Sequence, residues 1–276
     1  MKNERKGRVF PTVVLTLTMI YLILPLIATL IYSLARSWQS SILPDEWTLD
    51  WFRQLFLDSR FQESMWRTLG ICFLSVILSV VVMLPTIFIV TVYLPKLERL
   101  LNILVLIPYA APPVVMAVGL LKLYSSGPVA ISGTIWILVG VYFVAVLPYM
   151  YQGIRNSMRT VRAKELIEAA ELLGAGKLEA FRRIIIPNVL PGIRVSVLLS
   201  FSILFGEFVL ANLLVGGRFE TIQIYLYHRL IESGHVASAV VICYFLVILV
   251  LSGLLLALSG LLYKQSTPVT KKGSDL

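Results

Sequence analysis

Few side chains in this sequence have the types or spacing that covalent chemistry needs. The two histidines, His228 and His235, fall in one short stretch between long apolar runs and form neither a metal-ligand spacing nor a nucleophile constellation. Cys72 and Cys243 sit inside apolar runs, where cysteine acts as a small buried hydrophobe, so they imply no disulfide framework. Gly176-Lys177 is the candidate for a phosphate-cradling loop. There Leu178 stands where a Ser or Thr would hold magnesium, and Glu171 stands where the leading glycine of GxxxxGK[ST] belongs. No strand precedes it. We therefore assign no catalytic residue, no metal ligand and no cofactor to this chain; any nucleotide hydrolysis that serves it belongs to another chain.

What surrounds these residues is a membrane protein. Of 276 residues, 58% are hydrophobic and 14% charged, with a mean hydropathy of +0.87; soluble domains average about 45–50% and about 25%. Crossing a hydrocarbon core of about 30 Å takes roughly 20 mostly apolar residues. Six segments qualify, at about 9–33, 68–93, 100–121, 134–151, 190–215 and 236–263. The expected fold is an all-α integral membrane protein with six transmembrane helices, a single transmembrane domain over 1–276. Lys2, Arg5, Lys6 and Arg8 before the first run, with Ser33-Leu34-Ala35 after it, resemble a signal peptide. The run is far longer than the roughly 7–15 apolar residues of such a peptide, and we read it as a retained helix.

The net charge of +9 is explained by its distribution and needs no nucleic acid. Most of the basic residues fall in the N-terminal segment, the loop around Lys96–Arg99, the stretch 152–194 and the tail from Lys264, while the acids divide evenly. The positive-inside rule then predicts that both termini and the stretch between the fourth and fifth spans are cytoplasmic. The long external segment about Leu34–Trp66 carries Trp38, Trp47, Trp51 and Trp66, a residue type that favours the membrane–water boundary and would hold this loop against the outer surface.

The cytoplasmic stretch reads VRAKELIEAAELLGAGKLEAFRRIIIPNVLPGI from Val161. Val161, Leu166, Ala169, Ala170 and Leu173 recur at helical spacing, Gly174 is placed to close that helix, and Leu178, Phe181 and Ile185 repeat the spacing in a second one. Pro187 and Pro191 are expected to stop the second helix before the fifth span. Two short amphipathic helices at an angle make a knob that fits a partner's groove. The competing reading is a pair of helices lying on lipid, against which Glu165, Glu168, Glu171 and Glu179 are interleaved with the basic residues.

Within the spans, Glu207 is an ionisable side chain in an apolar run, with Asn212 five residues on. Such a residue faces a cavity or a partner; it lines a translocation path or forms an interhelical hydrogen bond. Pro108, Pro112 and Pro113 flank Tyr109-Ala110-Ala111 and predict a bend in the third span, placing Tyr109 beside the path or at a simple packing kink.

The stretch from Glu168 resembles the EAA signature of permease subunits of bacterial binding-protein-dependent ABC importers, type I fold. In that pattern Glu-Ala-Ala is followed after three residues by Gly and after nine more by Ile-x-Leu-Pro. Glu168, Ala169, Ala170, Gly174, Ile184 and Pro187 match, and Ile186 replaces the usual Leu. The likeness extends from about the second span to the end. It implies that 161–187 is a coupling-helix pair docked on an ATPase subunit. Glu168 would anchor, Gly174 would set the bend, and Leu166, Leu173 and Phe181 would fill apolar contacts. It also implies a second permease subunit, here a different chain, two ATPase subunits that bind ATP and Mg, an extracytoplasmic solute-binding protein, and a bacterial inner-membrane location. The run FGEFVLANLLVGGRFETIQIYLY is most similar to the polyamine, phosphonate and ferric-iron branch, which implies a small charged solute. A sugar importer is the nearer alternative. An ion-coupled secondary transporter is disfavoured by sparse intramembrane charge, and a membrane-bound enzyme by the lack of a catalytic grouping.

Overall fold

The computed structural model describes residues 2–38 and 41–265. The basic tail beyond Gln265, on which the orientation reading partly rests, lies outside the described residues. The elements in chain order are α1 (Lys2–Leu34), β1 (Ala35–Ser37), β2 (Glu46–Trp47), α2 (Asp50–Leu57), α3 (Ser59–Val92), α4 (Glu98–Ala110), α5 (Pro113–Tyr124), α6 (Ile135–Thr160), α7 (Ala163–Leu172), α8 (Lys177–Ala180), α9 (Ile186–Phe205), α10 (Val209–Leu214), α11 (Ile222–Glu232) and α12 (Gly234–Gln265). Among the described residues five helical stretches are long and apolar enough to cross a membrane. A sixth span exists if the bent pair Pro95–Ala110 and Pro113–Tyr124 counts as one.

The chain forms two compact units. One comprises Met1–Glu63 and Tyr225–Val247, the other Ser64–Ile224 and Ile248–Leu276. In the first, β1 and β2 make a small antiparallel hairpin, a minor departure from an all-α reading. Asp58 organises the junction that follows. Its carboxylate caps the first turn of α3 through the Arg60 N–H at 2.9 Å and accepts from the Tyr225 hydroxyl at 2.7 Å. It also pairs with Arg229, which reaches Glu232 at 2.6 Å. Burial alone would raise the Asp58 pKa; the Tyr225 and Arg229 hydrogen bonds hold it below the usual carboxylate range.

In the second unit, α6 and α9 pack extensively along one another. Small residues let them approach. A Cβ on Gly192 would meet the Ser157 side chain, its Oγ at 2.7 Å, and the Gly153 carbonyl oxygen at 3.0 Å, while a Cβ on Gly153 would collide with Ser196. Gly153-x-x-x-Ser157 thus faces Gly192-x-x-x-Ser196, the small-x-x-x-small pattern of close membrane helices. On α3, Ser64, Thr68, Cys72, Ser75 and Ser79 are all buried along one face, a second seam of small residues.

Two spans are interrupted, the third at the bend its prolines predict and the fifth against expectation. The third span is broken, α4 and α5 meeting at 95°, because Ala111 precedes Pro112 and is pushed to extended geometry (φ −96°, ψ 126°). The fifth span ends at Phe205, and Gly206-Glu207-Phe208 separates it from α10. Conversely, Pro187 and Pro191 do not stop the helix that begins at Lys177. A π turn over Phe181–Ile185 resets the hydrogen-bond register, so Pro187 falls in the first turn of α9, where no N–H is required. The Asn188 side-chain amide donates to the Ile184 carbonyl at 2.8 Å, and Pro191 is carried inside α9.

Candidate functional site

α7 is set off at both ends by left-handed residues. Arg162, with φ 50°, is the one non-glycine with positive φ among the described residues, and it turns the chain out of α6. At the other end Gly174 has φ 87°. The Ala175 N–H donates to the Ala170 carbonyl and the Gly174 N–H to the Glu171 carbonyl, both at 3.0 Å. This pair of bonds is a Schellman closure, which glycine adopts without steric cost.

The chain covers only one side of α7, and of the stripe read from spacing only Ala170 lies fully on it. Ala163, Ile167 and Ala170 are buried, whereas Ala169 is exposed, Val161 and Leu166 are half-buried, and Leu173 is 89% exposed. Leu172 is 89% exposed and Leu178 68%. The helix has two apolar faces, and the one with the longer side chains is open. Phe181 does not join that face, because its ring packs on Phe88 of α3 at 4.4 Å. Ile184 is half-buried, Pro187 exposed, and Glu168 exposed with Lys164 3.8 Å away.

The elbow is braced at its base. Tyr93, just past α3, donates to Glu171 at 3.4 Å, lies 4.8 Å beneath the Lys177 ammonium and meets Phe88 edge-on. Burial first and the Glu171 carboxylate second push the Tyr93 hydroxyl pKa up. Arg155 and Arg159, near the end of α6, both pair with Glu98 at the start of α4, the latter at 3.0 Å. The sequence reading missed Tyr93, Glu98, Arg155 and Arg159. Arginines four apart on a helix were a visible signal, but their common acid lies 57 residues upstream of the nearer one.

Glu207 sits in the break after α9 and acts as a cap. Its carboxylate accepts from the backbone N–H of Leu210 at 2.7 Å and of Ala211 at 3.0 Å, and from the Tyr142 hydroxyl at 3.2 Å. These satisfy the open donors of α10 that its N-terminal neighbour Phe208 cannot reach. Asn212, half-buried, continues the same short helix. Tyr109 is apart from both, its ring meeting Tyr149 at 5.7 Å. Tyr142 and Tyr149 lie two turns apart on one face of α6, so Glu207 and Tyr109 contact that helix at levels about 10 Å apart. Among the described residues no cluster of three or more His, Cys, Asp or Glu could hold a metal ion.

Comparison with solved structures shows the same fold in chains of bacterial ABC transporters. A crystal structure of one "involved in the import of the acidic polysaccharide alginate" matches with TM-score 0.70 and 14% identity over 93% of this chain and 98% of that one. A second, of the alginate transporter with its pentasaccharide-bound periplasmic protein, gives TM-score 0.71 and 16% identity over 91% and 93%. The model of the family described as "Binding-protein-dependent transport system inner membrane component" matches residues 85–263, and the chain belongs to that family. It is a permease subunit of an ABC importer, a multi-pass inner-membrane protein of a family of transport subunits. Among curated relatives, the "Putative 2-aminoethylphosphonate transport system permease protein PhnV" of Salmonella typhimurium is 25% identical over 89% of this chain and 92% of its own length. The "Spermidine/putrescine transport system permease protein PotC" of Haemophilus influenzae is 26% identical over 67% and 70%.

Proposed function

We propose that this permease works beside a second, different permease chain, with two ATPase subunits that bind ATP and Mg and an extracytoplasmic binding protein. In this reading both termini and the α7–α8 elbow face the cytoplasm, and the elbow seats in a groove of an ATPase subunit. The observation that carries it is the open apolar tip of Leu172, Leu173 and Leu178 on a turn braced from α3 and α6. A protrusion with that much uncovered apolar surface invites a partner. A rigid one transmits displacement, whereas a flexible loop would absorb it. Glu168 and Ala169 flank the tip, and Gly174 sets its angle.

Closure of two ATPases around ATP would carry the elbow with them and rock α6 and α9, locked together at Gly153 and Gly192. Glu207, Asn212 and Tyr109 are proposed to line the route that opens. Glu207 holds the break between α9 and α10, while Tyr109 meets the same face of α6 two turns further along. For the cargo we propose a small charged solute of the organophosphonate, polyamine or chelated-iron type, on the strength of the phosphonate and polyamine relatives.

The test is reconstitution with a candidate partner permease, ATPase and binding protein. Leu173→Asp together with Leu178→Asp should remove ATPase co-purification and ATP-driven uptake while the chain stays inserted. Uptake at the wild-type rate would overturn the docking proposal, and calorimetry of the binding protein with each solute class checks the cargo.

A further inference from the structure

We infer that α2 is an interfacial helix, lying along the membrane surface at which α1 emerges, with Leu49, Phe52 and Phe56 turned into the lipid boundary. The apolar stretch Pro11–Leu34 has 24 residues, about 36 Å of helix at 1.5 Å per residue, against a hydrocarbon core of about 30 Å. Leu34 therefore lies at or just beyond that core. The chain does not travel away from this level. The hairpin returns it at once, the Thr48 N–H donates to the Leu34 carbonyl at 2.8 Å, and the Trp51 indole N–H donates to the Ala35 carbonyl at 2.9 Å. The first turn of α2 is thus hydrogen-bonded to the end of the span.

The residues around α2 divide into three directions at about 100° per residue. Trp51 and Leu55 point inward, Leu55 fully buried. Asp50 and Gln54 form an exposed polar edge, which the exposed Leu57 closes at the last residue of the helix. Leu49, Phe52 and Phe56 form the third flank, with Leu49 69% and Phe56 57% exposed and Phe52 half-buried, and Trp47 is open beside them. An apolar flank next to a polar edge is the pattern of a helix lying in the head-group region, and an exposed tryptophan suits that depth. Arg53 falls between flank and edge, where its stem covers apolar surface while its guanidinium reaches lipid phosphate. The occupant is lipid because α2 is hydrogen-bonded to the end of α1, a helix whose side chains from 11 to 28 are exposed all round. The buried side of the helix has its own task. Trp51 and Tyr32 both stack on His235, at 5.5 and 4.2 Å, so α2 also holds the first turn of α12.

The test uses the full-length chain in phosphatidylcholine–phosphatidylglycerol vesicles, with bimane attached at Phe56→Cys or Gln54→Cys. Cys72 and Cys243 are buried, and unsubstituted chain gives the background. At residue 56, a nitroxide near the top of the acyl chain should remove most of the emission and aqueous iodide little; at residue 54 the two quenchers should exchange roles. Leu49→Cys repeats the lipid-facing measurement if Phe56→Cys fails to insert. Iodide access at 56 without nitroxide quenching would overturn the proposal and mark a surface open to a protein partner. Protection from both quenchers would overturn it too, as a buried packing face.

Discussion

Replacing Gly174 separates backbone geometry from bulk. A Cβ built there has nothing within 4 Å, so Gly174→Ala meets no steric obstacle. Its cost comes from φ 87°, where an L-residue is disfavoured by roughly 1–2 kcal/mol. That is a factor of about 5–30 in the population of the closed elbow. Asparagine is bulkier but tolerates left-handed geometry, and should lose less. Aspartate tolerates it too, yet adds a carboxylate at the negative end of α7 near Glu171, a further penalty of about 0.3–1 kcal/mol, and sets that charge beside the apolar tip. ATP-driven uptake by the reconstituted transporter should therefore fall in the order Gly, Asn, Ala, Asp, with Gly174→Asp abolishing uptake while insertion is unchanged. Spin-label distances between α7 and α9 should broaden in the same order. Alanine at the wild-type rate with asparagine impaired would refute the reasoning, since it would mean that side-chain size at the tip matters and the left-handed closure does not.

At the α6–α9 seam, Gly192→Ala should cost about 1–3 kcal/mol through overpacking, read as a fall in melting temperature, and Ser157→Gly in the same chain should recover most of it. Glu207→Ala leaves two backbone donors without their partner and should cost about 1–2 kcal/mol. Glu207→Gln keeps an acceptor and should cost less, so uptake lost in Glu207→Gln at unchanged melting temperature would mark the charge itself as functional. The Asp58 carboxyl, held below its unfolded pKa of about 3.9, contributes stability above that value and loses it as pH falls through the lower folded one. Arg229→Met removes one of the partners that lower the Asp58 pKa, leaving Tyr225 and the Arg60 N–H, and the acid limb of the stability profile should move to higher pH; an unmoved limb would show the pair to be idle.

Which parts of this protein were legible in its sequence follows from the range of the interactions involved. The spans were readable because hydropathy over roughly 20 residues is a local property set by bilayer thickness. Gly174 was readable because left-handed closure leaves few residue choices. Arg162 was not, since nothing local calls for an arginine at φ 50°; only the need to leave α6 and pack Ile167 inward explains it. Which face of α7 the chain itself covers was not legible either, for a related reason. Both of its faces are apolar, and periodicity cannot say which one the rest of the chain covers. The prolines misled because the π turn, which makes Pro187 harmless, has no pattern of its own. The glycine–serine pairs of α6 and α9 were visible, but their meaning needed the partner helix.

The proposed coupling rests on a geometric consequence of those corrections. Had Pro187 ended the second short helix, the elbow would join the bundle through a break, and motion at its tip would dissipate there. Instead α8, the π turn and α9 form one continuous span from Lys177 to Phe205. α6 reaches the elbow from the other side and is locked against α9 where Gly192 meets Ser157. Under the proposed coupling, a push on Leu173 would be delivered to a two-helix lever whose far end is the break at Glu207. The α10 cap makes that break a defined joint, since the Glu207 carboxylate binds α10 through two backbone N–H groups and α6 through Tyr142. In this arrangement the elbow and the intramembrane acid are two ends of one device. The arrangement requires that Gly192→Leu, which forces the helices apart at mid-lever, uncouple ATP hydrolysis from uptake while leaving ATPase binding at the elbow intact.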